Sequence, residues 1–354
     1  MSADTPGQVT IIRGDAATLA LADDSVDLIV TSPPYFGLRS YQDGGQHYEG
    51  QVGAEATPAE FVDALIACTR EWMRVVKPSG SIWVNLGDKY SQRVALRPSS
   101  HQDGLQPGRE GVAKDWKASK ARGEARMPYM NVTDRASGRY VPEKSLMGIP
   151  WRYALRCIDD LGLILRAEVI WSKPNGLPES VTDRVRRSHE QWFHFTLSPR
   201  YYAAVDCVRE AYTARNPAIG TWDASNYEHN PLGKLPGSVQ TVATEPLRVP
   251  ESLGVDHYAA FPTWWPRWII QGWSPEGGVV LDPFGGTGTT ALVASVLGRH
   301  GITNDLSADY CRIARWRTSD PKQRAKAARR VYAPPAPVPD GQASILDLLE
   351  GTAS

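Results

Sequence analysis

Cysteine is scarce in this chain of 354 residues: its four cysteines, Cys68, Cys157, Cys207 and Cys311, lie far apart. None of them forms a C-x-x-C pair, which argues against both a zinc site and a disulfide framework. We therefore expect no bound metal, and a reducing compartment such as the cytoplasm.

Long apolar runs and an excess of charge of one sign are also missing. No apolar stretch reaches the roughly 20 residues that cross a bilayer, and residues 1–10 lack the basic and apolar regions of a secretion signal. This predicts a soluble intracellular protein without membrane contact. The 39 basic and 39 acidic residues give no net charge, so a nucleic-acid surface requires local segregation of charge.

Glycine and proline are abundant, with 31 and 27 residues, and indicate many loops. The length allows one large α/β domain with a substantial insertion, or two domains. We favour the single domain.

The apolar run from Val26 to Val30 is short and rich in branched side chains, which predicts a buried strand. Two prolines, Pro33 and Pro34, follow it and make the next loop rigid, because each fixes φ and removes an N–H donor. The loop presents two fixed acceptors, the Ser32 hydroxyl and the Pro33 carbonyl, beside the flat ring of Tyr35. Such a loop suits a planar group that carries an amino substituent.

A strong helix start follows at Thr57, with Pro58 in the first helical position and Glu60 completing a capping box. The helix should end at residues 77–80 and lead into a strand over residues 81–86, forming a β-α-β unit of a parallel sheet. Its core-facing stripe is predicted to be Phe61, Leu65, Cys68, Trp72 and Val76.

A second helix is predicted from Pro150 to Gly162, and a strand follows at residues 163–171. Its apolar stripe is predicted to be Trp151, Ala154, Leu155, Ile158 and Leu161. Residues 264–273 predict an aromatic helix.

A glycine turn, Gly285, Gly286 and Gly288, lies between a strand at residues 279–282 and a helix at residues 291–297. Glycines there let backbone N–H groups approach a ligand closely, and a helix N-terminus favours a negative group. Asp305 ends the following strand, where a ribose-binding carboxylate belongs in a nucleotide-type α/β fold. No Gly-Lys-Ser/Thr follows the turn, which disfavours a triphosphate loop.

The order of these segments is unusual, because a nucleotide half-site normally begins a doubly wound sheet. Here its glycine turn comes late in the chain. The simplest resolution is a circularly permuted sheet with the Val279 strand inserted centrally and the Ile302 strand beside the N-terminal Ile11 strand. The Pro-Pro loop would then lie next to the glycine turn.

Together these segments resemble the permuted, β-group amino-methyltransferases of DNA, whose S/D-P-P-Y loop precedes an F-x-G-x-G turn. The chain has residues 32–35 and 284–288 in this order, and further likeness at residues 14–15, 77–80, 171–175, 189–190 and 257–262. The resemblance implies a class I, Rossmann-like α/β fold with a circularly permuted seven-stranded mixed sheet, helices on both faces and a target-recognition region. It also implies S-adenosylmethionine as methyl donor and double-stranded DNA as partner.

The resemblance assigns roles to individual residues. The target base would be held by the catalytic loop Ser32, Pro33, Pro34 and Tyr35. The cofactor would be bound by Asp15, Phe261, Asp282, Pro283, Phe284, Gly285, Gly286, Thr287, Gly288 and Asp305, with Asp305 on the ribose, Asp15 near the adenine and Phe261 closing the pocket. The family more often has Glu at the position of Asp305.

The chemistry fits these roles, because an exocyclic amine of a nucleobase has its lone pair delocalised into the ring. Acceptors that hold its two N–H groups favour a pyramidal nitrogen, so orientation does most of the work and no strong base is needed. The base must first leave the duplex and stack on an aromatic ring. Serine at the first loop position resembles the cytosine-N4 branch, and adenine N6 is the alternative. A non-catalytic DNA-binding protein and a small-molecule methyltransferase are further alternatives.

The resemblance divides the chain into a catalytic part at 1–90 and 146–174, a recognition region at 175–256 and a cofactor-binding part at 257–318. Residues 91–145 form an insertion that is basic, since it holds eleven Lys or Arg against six acids. It is either a solvated loop or a segment that contacts a polyanion. The tail at 319–354 is basic and Pro-rich, and residues 342–346 resemble the peptide that docks bacterial proteins on the replication clamp. The expected setting is a monomer or homodimer on DNA in the cytoplasm, encoded by a bacterium, archaeon or phage.

Overall fold

The computed structural model describes residues 7–37, 51–91, 141–142, 144–176, 178–211, 230–254 and 260–329. It also describes the backbone of three short strand pairs: Gln42–Asp43 with Gln46–His47, Val94–Ala95 with Tyr129–Met130, and Thr133–Asp134 with Arg139–Tyr140. Most of the basic insertion and the whole clamp-like peptide at residues 342–346 lie outside the described residues.

The main sheet has eight strands in the order β1-β8-β7-β2-β3-β5-β4-β6. Their bounds are β1 Val9–Arg13, β2 Val26–Thr31, β3 Val76–Leu86, β4 Ile164–Ser172, β5 His189–Thr196, β6 Val239–Thr241, β7 Val279–Asp282 and β8 His300–Asp305. Strands β1, β8, β7, β2 and β3 run parallel to one another, whereas β5 is antiparallel to both β3 and β4. The sheet is therefore mixed, as the family resemblance implied.

The late strands occupy the predicted places. Strand β7 lies between β8 and β2, and β8 pairs with β1. The number of strands differs from the expected seven, because β6 pairs with β4 as an eighth, edge strand. Only three residues form β6, too short a run to show an alternating pattern in the sequence.

The described part of the chain contains six helices: α1 Pro58–Val75, α2 Ile149–Asp159, α3 Trp264–Trp273, α4 Thr289–Val296, α5 Ala308–Ser319 and α6 Pro321–Ala328. The first five pack on the sheet, and α6 packs on α4 and α5. Two 3₁₀ turns, Val205–Val208 and Glu251–Leu253, lie between β5 and α3. None of the helices in these described ranges is long and apolar enough to cross a bilayer.

Helix α1 begins with the predicted capping box. The Thr57 hydroxyl accepts a hydrogen bond from the Glu60 backbone N–H, and the Glu60 carboxylate accepts one from the Thr57 N–H. The predicted stripe is buried throughout. The helix ends at Val75, and β3 begins at Val76, so residues 77–80 belong to the strand rather than to a turn.

The predicted helix exists, and its predicted apolar stripe is correct at Ala154, which is buried, and at Leu161, which packs against the core after the helix ends, but wrong at three other positions. Trp151, Leu155 and Ile158 are 49%, 56% and 39% exposed, and the helix buries Tyr153 and Cys157 instead. Apolar side chains occur all round this helix, so the sequence period alone does not select the inner face.

Two apolar cores flank the sheet, because successive residues of a strand point to opposite faces. In β2, Ile29 packs with α1 and α2 on one face, and Leu28 and Val30 pack with α3 and α4 on the other. Parallel strands covered on both faces are buried throughout, and β2 is buried over almost its whole length. Its carboxyl end is therefore rigidly placed.

Candidate active site

Two loops follow neighbouring parallel strands and meet at the same edge of the sheet. The Thr31 hydroxyl at the end of β2 donates to the Asp282 carboxylate at the end of β7 at 2.7 Å. The Thr290 hydroxyl in α4 donates to the other carboxylate oxygen at 2.8 Å. This carboxyl group joins the Pro-Pro loop to the glycine turn across 251 residues of sequence.

A cavity of about 870 Å³ opens at this edge. Ten of the residues that the sequence singled out line it: Asp15, Ser32, Pro33, Pro34, Tyr35, Phe261, Pro283, Phe284, Gly286 and Asp305. Four others, Asp282, Gly285, Thr287 and Gly288, are buried and do not line it. The carboxyl edge of a parallel sheet is the usual ligand site of such folds.

Asp282 supports the loops from within the protein. Burial raises its pKa to about 7, against which the hydroxyls of Thr31 and Thr290 and the Phe284 N–H stabilise the charged form. Its carboxylate is thus committed to protein donors. Any contact of Asp282 with a cofactor remains a prediction.

Thr287 and Gly288 are likewise engaged inside the fold. The buried Arg317 guanidinium donates to the hydroxyls of Thr287 and Thr289 at 2.7 and 2.6 Å, and burial lowers its pKa to about 10. Gly288 precedes α4 with a φ of 73°, a left-handed conformation that side chains disfavour. Both residues therefore shape the turn.

The exposed part of the glycine turn is held by Asp305. The Gly286 N–H donates to one Asp305 oxygen at 2.8 Å, and the Ser307 N–H donates to the other at 2.9 Å. Gly285 has no room for a side chain, since a Cβ would lie 1.6 Å from the Thr303 hydroxyl oxygen. The turn thus brings backbone against the cavity.

Two aromatic rings of the cavity wall are anchored on buried tryptophans. Phe284 meets Trp72 edge-on at 5.9 Å between ring centres, and Phe261 meets Trp192 edge-on at 5.7 Å. Such contacts fix ring orientation. The wall therefore offers flat apolar surfaces beside the polar groups of Asp15 and Asp305.

The Pro-Pro loop is oriented by Asn85, a buried residue near the end of β3. The Ser32 hydroxyl donates to Asn85 Oδ1 at 3.2 Å, and the Asn85 amide donates to the Gln191 carbonyl at 3.1 Å. That second bond fixes which way the amide points. Because the Ser32 proton is directed to Asn85, its oxygen keeps lone pairs for another donor.

Tyr35 is held by the same group of residues. Its hydroxyl donates to Glu190 at 2.7 Å, with Asn85 Oδ1 at 3.1 Å, and Lys173 forms an ion pair with Glu190. Sequence reasoning assigned no role to Asn85, Glu190 or Lys173. The available signal was a polar residue, Asn85, within the apolar strand at residues 81–86.

Metal ligands are not gathered anywhere in the described ranges: no group of three His, Cys, Asp or Glu side chains there is arranged to hold an ion. The histidines of this region differ in environment. Burial lowers the pKa of His194 to about 3, so it is neutral, and it stacks on Trp83. His194 is thus a core residue.

The doubly wound sheet and the cleft where its parallel strands end define a nucleotide-type α/β protein. A family model described as DNA methylase matches residues 26–315. The chain belongs to this DNA methylase family.

Similar proteins agree with this family. Type II methyltransferase M.SmaI of Serratia marcescens is 35% identical over 309 residues, covering 87% of this chain and 89% of that protein. Type II methyltransferase M.Cfr9I of Citrobacter freundii is 34% identical over 307 residues, covering 86% of each. A solved structure titled PvuII DNA methyltransferase (cytosine-N4-specific) has a TM-score of 0.58 at 19% identity, covering 92% of this chain and 93% of that chain. The last similarity shows the shared fold.

Proposed function

We propose that this DNA methylase transfers a methyl group from S-adenosylmethionine to the exocyclic N4 amine of a cytosine that has left the duplex. One observation carries the proposal: the Ser32 hydroxyl, its proton committed to Asn85, lines the same cavity as the glycine turn. An acceptor for an amine and a cleft for a cofactor are thus adjacent.

The cavity residues fit S-adenosylmethionine. Gly286 has a φ of 49° and no side chain, which leaves backbone open to a bound ligand. We propose that Asp305 holds the ribose hydroxyls and that Asp15 lies near the adenine, with Phe284 and Phe261 packing against apolar parts. When bound, this cofactor supplies an electrophilic methyl group on a positively charged sulfur.

The protein residues would hold the amine and its ring. Ser32 Oγ and the Pro33 carbonyl accept the two N–H bonds, which turns the nitrogen lone pair away from the ring. Tyr35 presents a flat surface for the extruded base. Fixed acceptors of this kind stabilise charge without reorganising during the reaction.

Cytosine is favoured over adenine by Ser32 in the first position of the loop, where the resemblance gives serine to the N4 branch. Adenine N6 remains the second candidate, because its amino group offers the same two N–H donors.

We also propose that residues 175–256 contain the recognition region. Pro178, Arg187 and Thr244 from this range line the cavity, which supports a role of this segment in contacting DNA around an extruded base. The relatives are named type II methyltransferases, and we propose that this protein likewise belongs to a restriction-modification system.

The test is methylation of duplex DNA by the purified protein, followed by digestion to nucleosides and mass analysis. We expect N4-methylcytosine, and N6-methyladenine would replace the cytosine assignment by the adenine one. Ser32→Ala should lower the transfer rate by about 100-fold, the usual effect of removing one preorganised polar partner.

The matched control is Ser25→Ala, just before β2 at the opposite end of that strand, where the hydroxyl donates to the Ala22 carbonyl. It should change the rate less than about twofold, since surface substitutions are usually mild. An unchanged rate in Ser32→Ala would overturn the role of the loop. Methyl transfer to free nucleosides but not to duplex DNA would refute the assignment of DNA as the substrate.

A further inference from the structure

Protein atoms contact Tyr35 from several sides. Its hydroxyl donates to Glu190 at 2.7 Å and lies 3.1 Å from Asn85 Oδ1. At Gly87 a Cβ would lie 2.7 Å from the ring carbon Cε2, so the ring packs directly against backbone there. Glycine at this position is what lets the ring sit so close to β3.

Glu190 is itself fixed by Lys173. The two side chains are 14% and 19% exposed and form an ion pair, and the Lys173 backbone N–H donates to the Ser188 carbonyl at 2.8 Å. Glu190 lies in β5 opposite Trp171 of β4, and Lys173 directly follows the last residue of β4, Ser172. The carboxylate therefore has little freedom to turn away from Tyr35.

Lys173 is held in turn by Trp171. The Lys173 Nζ lies 4.0 Å from the centre of the Trp171 ring, a favourable cation–π arrangement. The Trp171 indole N–H donates to the Val242 carbonyl at 2.7 Å, which fixes the ring. A continuous series of contacts thus runs from the strand β6 region to Tyr35.

We propose that Glu190, held by Lys173, is a positioning residue that fixes the Tyr35 ring as a preformed stacking surface; the proposal rests on the proposed function. A bond to a charged acceptor is stronger and more directional than one between neutral groups. Because protein contacts fix the ring, less conformational freedom of Tyr35 is lost when a base stacks on it. Glu190 acts only through the Tyr35 hydroxyl and needs no contact with the substrate.

A double-mutant cycle tests this, with single-turnover methyl transfer measured at saturating DNA and S-adenosylmethionine. Glu190→Ala should slow transfer about tenfold, the effect of one charge-assisted hydrogen bond, and Tyr35→Phe should do the same. In a protein that already carries Tyr35→Phe, Glu190→Ala should lower the transfer rate by less than about twofold, because the hydrogen bond between the two side chains is already missing. Dissociation constants for duplex DNA and for the cofactor should change less than about twofold.

Lys173→Met provides a second variant, which should slow transfer in the wild-type background and not in Tyr35→Phe. Glu210→Gln is the control, a carboxylate that pairs with Lys234 at 3.8 Å and does not line the cavity. An equal tenfold loss from Glu190→Ala in both backgrounds would overturn the proposal, as would a loss explained by weaker DNA binding alone.

The assay separates this proposal from the proposed function. Methyl transfer to DNA by the wild type supports the proposed function, whatever the result of the double-mutant cycle of Glu190 and Tyr35. If the wild type transfers no methyl to DNA, the function fails, and the same cycle is measured by urea unfolding of the cofactor-free protein. Non-additive losses of stability would still support the Tyr35 contact, and additive losses would refute it.

Discussion

Asp282 is a buried carboxyl group whose protonation is linked to the stability of the fold. Burial raises its pKa from 3.8 to about 7, and the nearby Asp305 charge adds to this rise. Between these values the folded protein keeps a proton that the unfolded chain has lost. The contribution of this group to stability is therefore full below about pH 4, falls as the pH rises to 7, and is constant above.

We expect the wild type to lose about 2 to 3 kcal/mol of unfolding free energy through this group between pH 5 and pH 8, since one pKa unit corresponds to about 1.4 kcal/mol. Asp282→Asn should lack this fall, because its side chain does not titrate. Urea unfolding of both proteins at the two pH values measures the difference. An equal change with pH in both would show that Asp282 ionises normally.

Single residues with strong local signals were predictable in this site. The paired prolines after Ser32 predict a rigid loop because proline fixes φ. The closely spaced glycines at 285–288 predict a tight turn because glycine adopts conformations that other residues disfavour. Glu190 and Lys173 lie in segments with family likeness, residues 189–190 and 171–175, but no local signal indicated that the two side chains pair. Their function depends on strand pairing, which local chemistry does not encode.

Among the secondary-structure elements, α1 has a start that its local sequence determines. Its capping box satisfies two backbone N–H groups, Thr57 and Glu60, that would otherwise lack partners at the helix start. The same residues fix where the helix begins and hence which side chains face the sheet. The start of α1 was predicted because its signal is contained in four residues.

Thr57→Ala should lower the unfolding free energy by about 1 kcal/mol, the usual value of an N-cap hydroxyl. Thr57→Ser keeps the hydroxyl and should stay near the wild type. Urea unfolding reports both changes, and circular dichroism confirms that the helix content is retained. Equal stability of the alanine and serine variants would show that the box contributes nothing.

Helix α2 has features that local sequence does not predict. Its N-terminal N–H groups at Gly148 and Ile149 are bonded by Asp88, a residue 60 positions earlier, rather than by a cap of its own. Its rotation about the helix axis is set by the sheet face it covers, and Trp151 is left exposed. The apolar periodicity of the sequence predicted that α2 exists, whereas packing against the sheet determines which of its faces is buried.

At the scale of the whole molecule, the absence of net charge makes DNA binding depend on where cations lie. Arg187 lines the cavity, and its guanidinium donates to the Gln191 side-chain oxygen at 3.2 Å. Under the proposed function it faces the phosphates around an extruded nucleotide. A phosphate contact contributes affinity without sequence preference.

Arg187→Gln should therefore weaken binding to all duplexes alike and reduce the slope of log affinity against log salt concentration by about 1. Binding titrations of specific and non-specific duplexes at several salt concentrations measure this. Arg200→Gln, which lies outside the cavity lining, is the control and should leave the slope unchanged. A loss confined to the specific duplex would instead make Arg187 a base-reading residue.

The sequence by itself determined the strand before Ser32, the start of α1 and the glycine turn, because prolines, glycines, caps and apolar periodicity act within a few residues. The order of the central strands was predicted from the usual topology of nucleotide-type sheets rather than from local signals. Only the tertiary structure decided the eighth strand, the inner face of α2, the burial of Asp282 and the grouping of Asn85, Lys173 and Glu190 around Tyr35. These features depend on which distant strands pair and in which register. That choice is made by the packing of the whole chain.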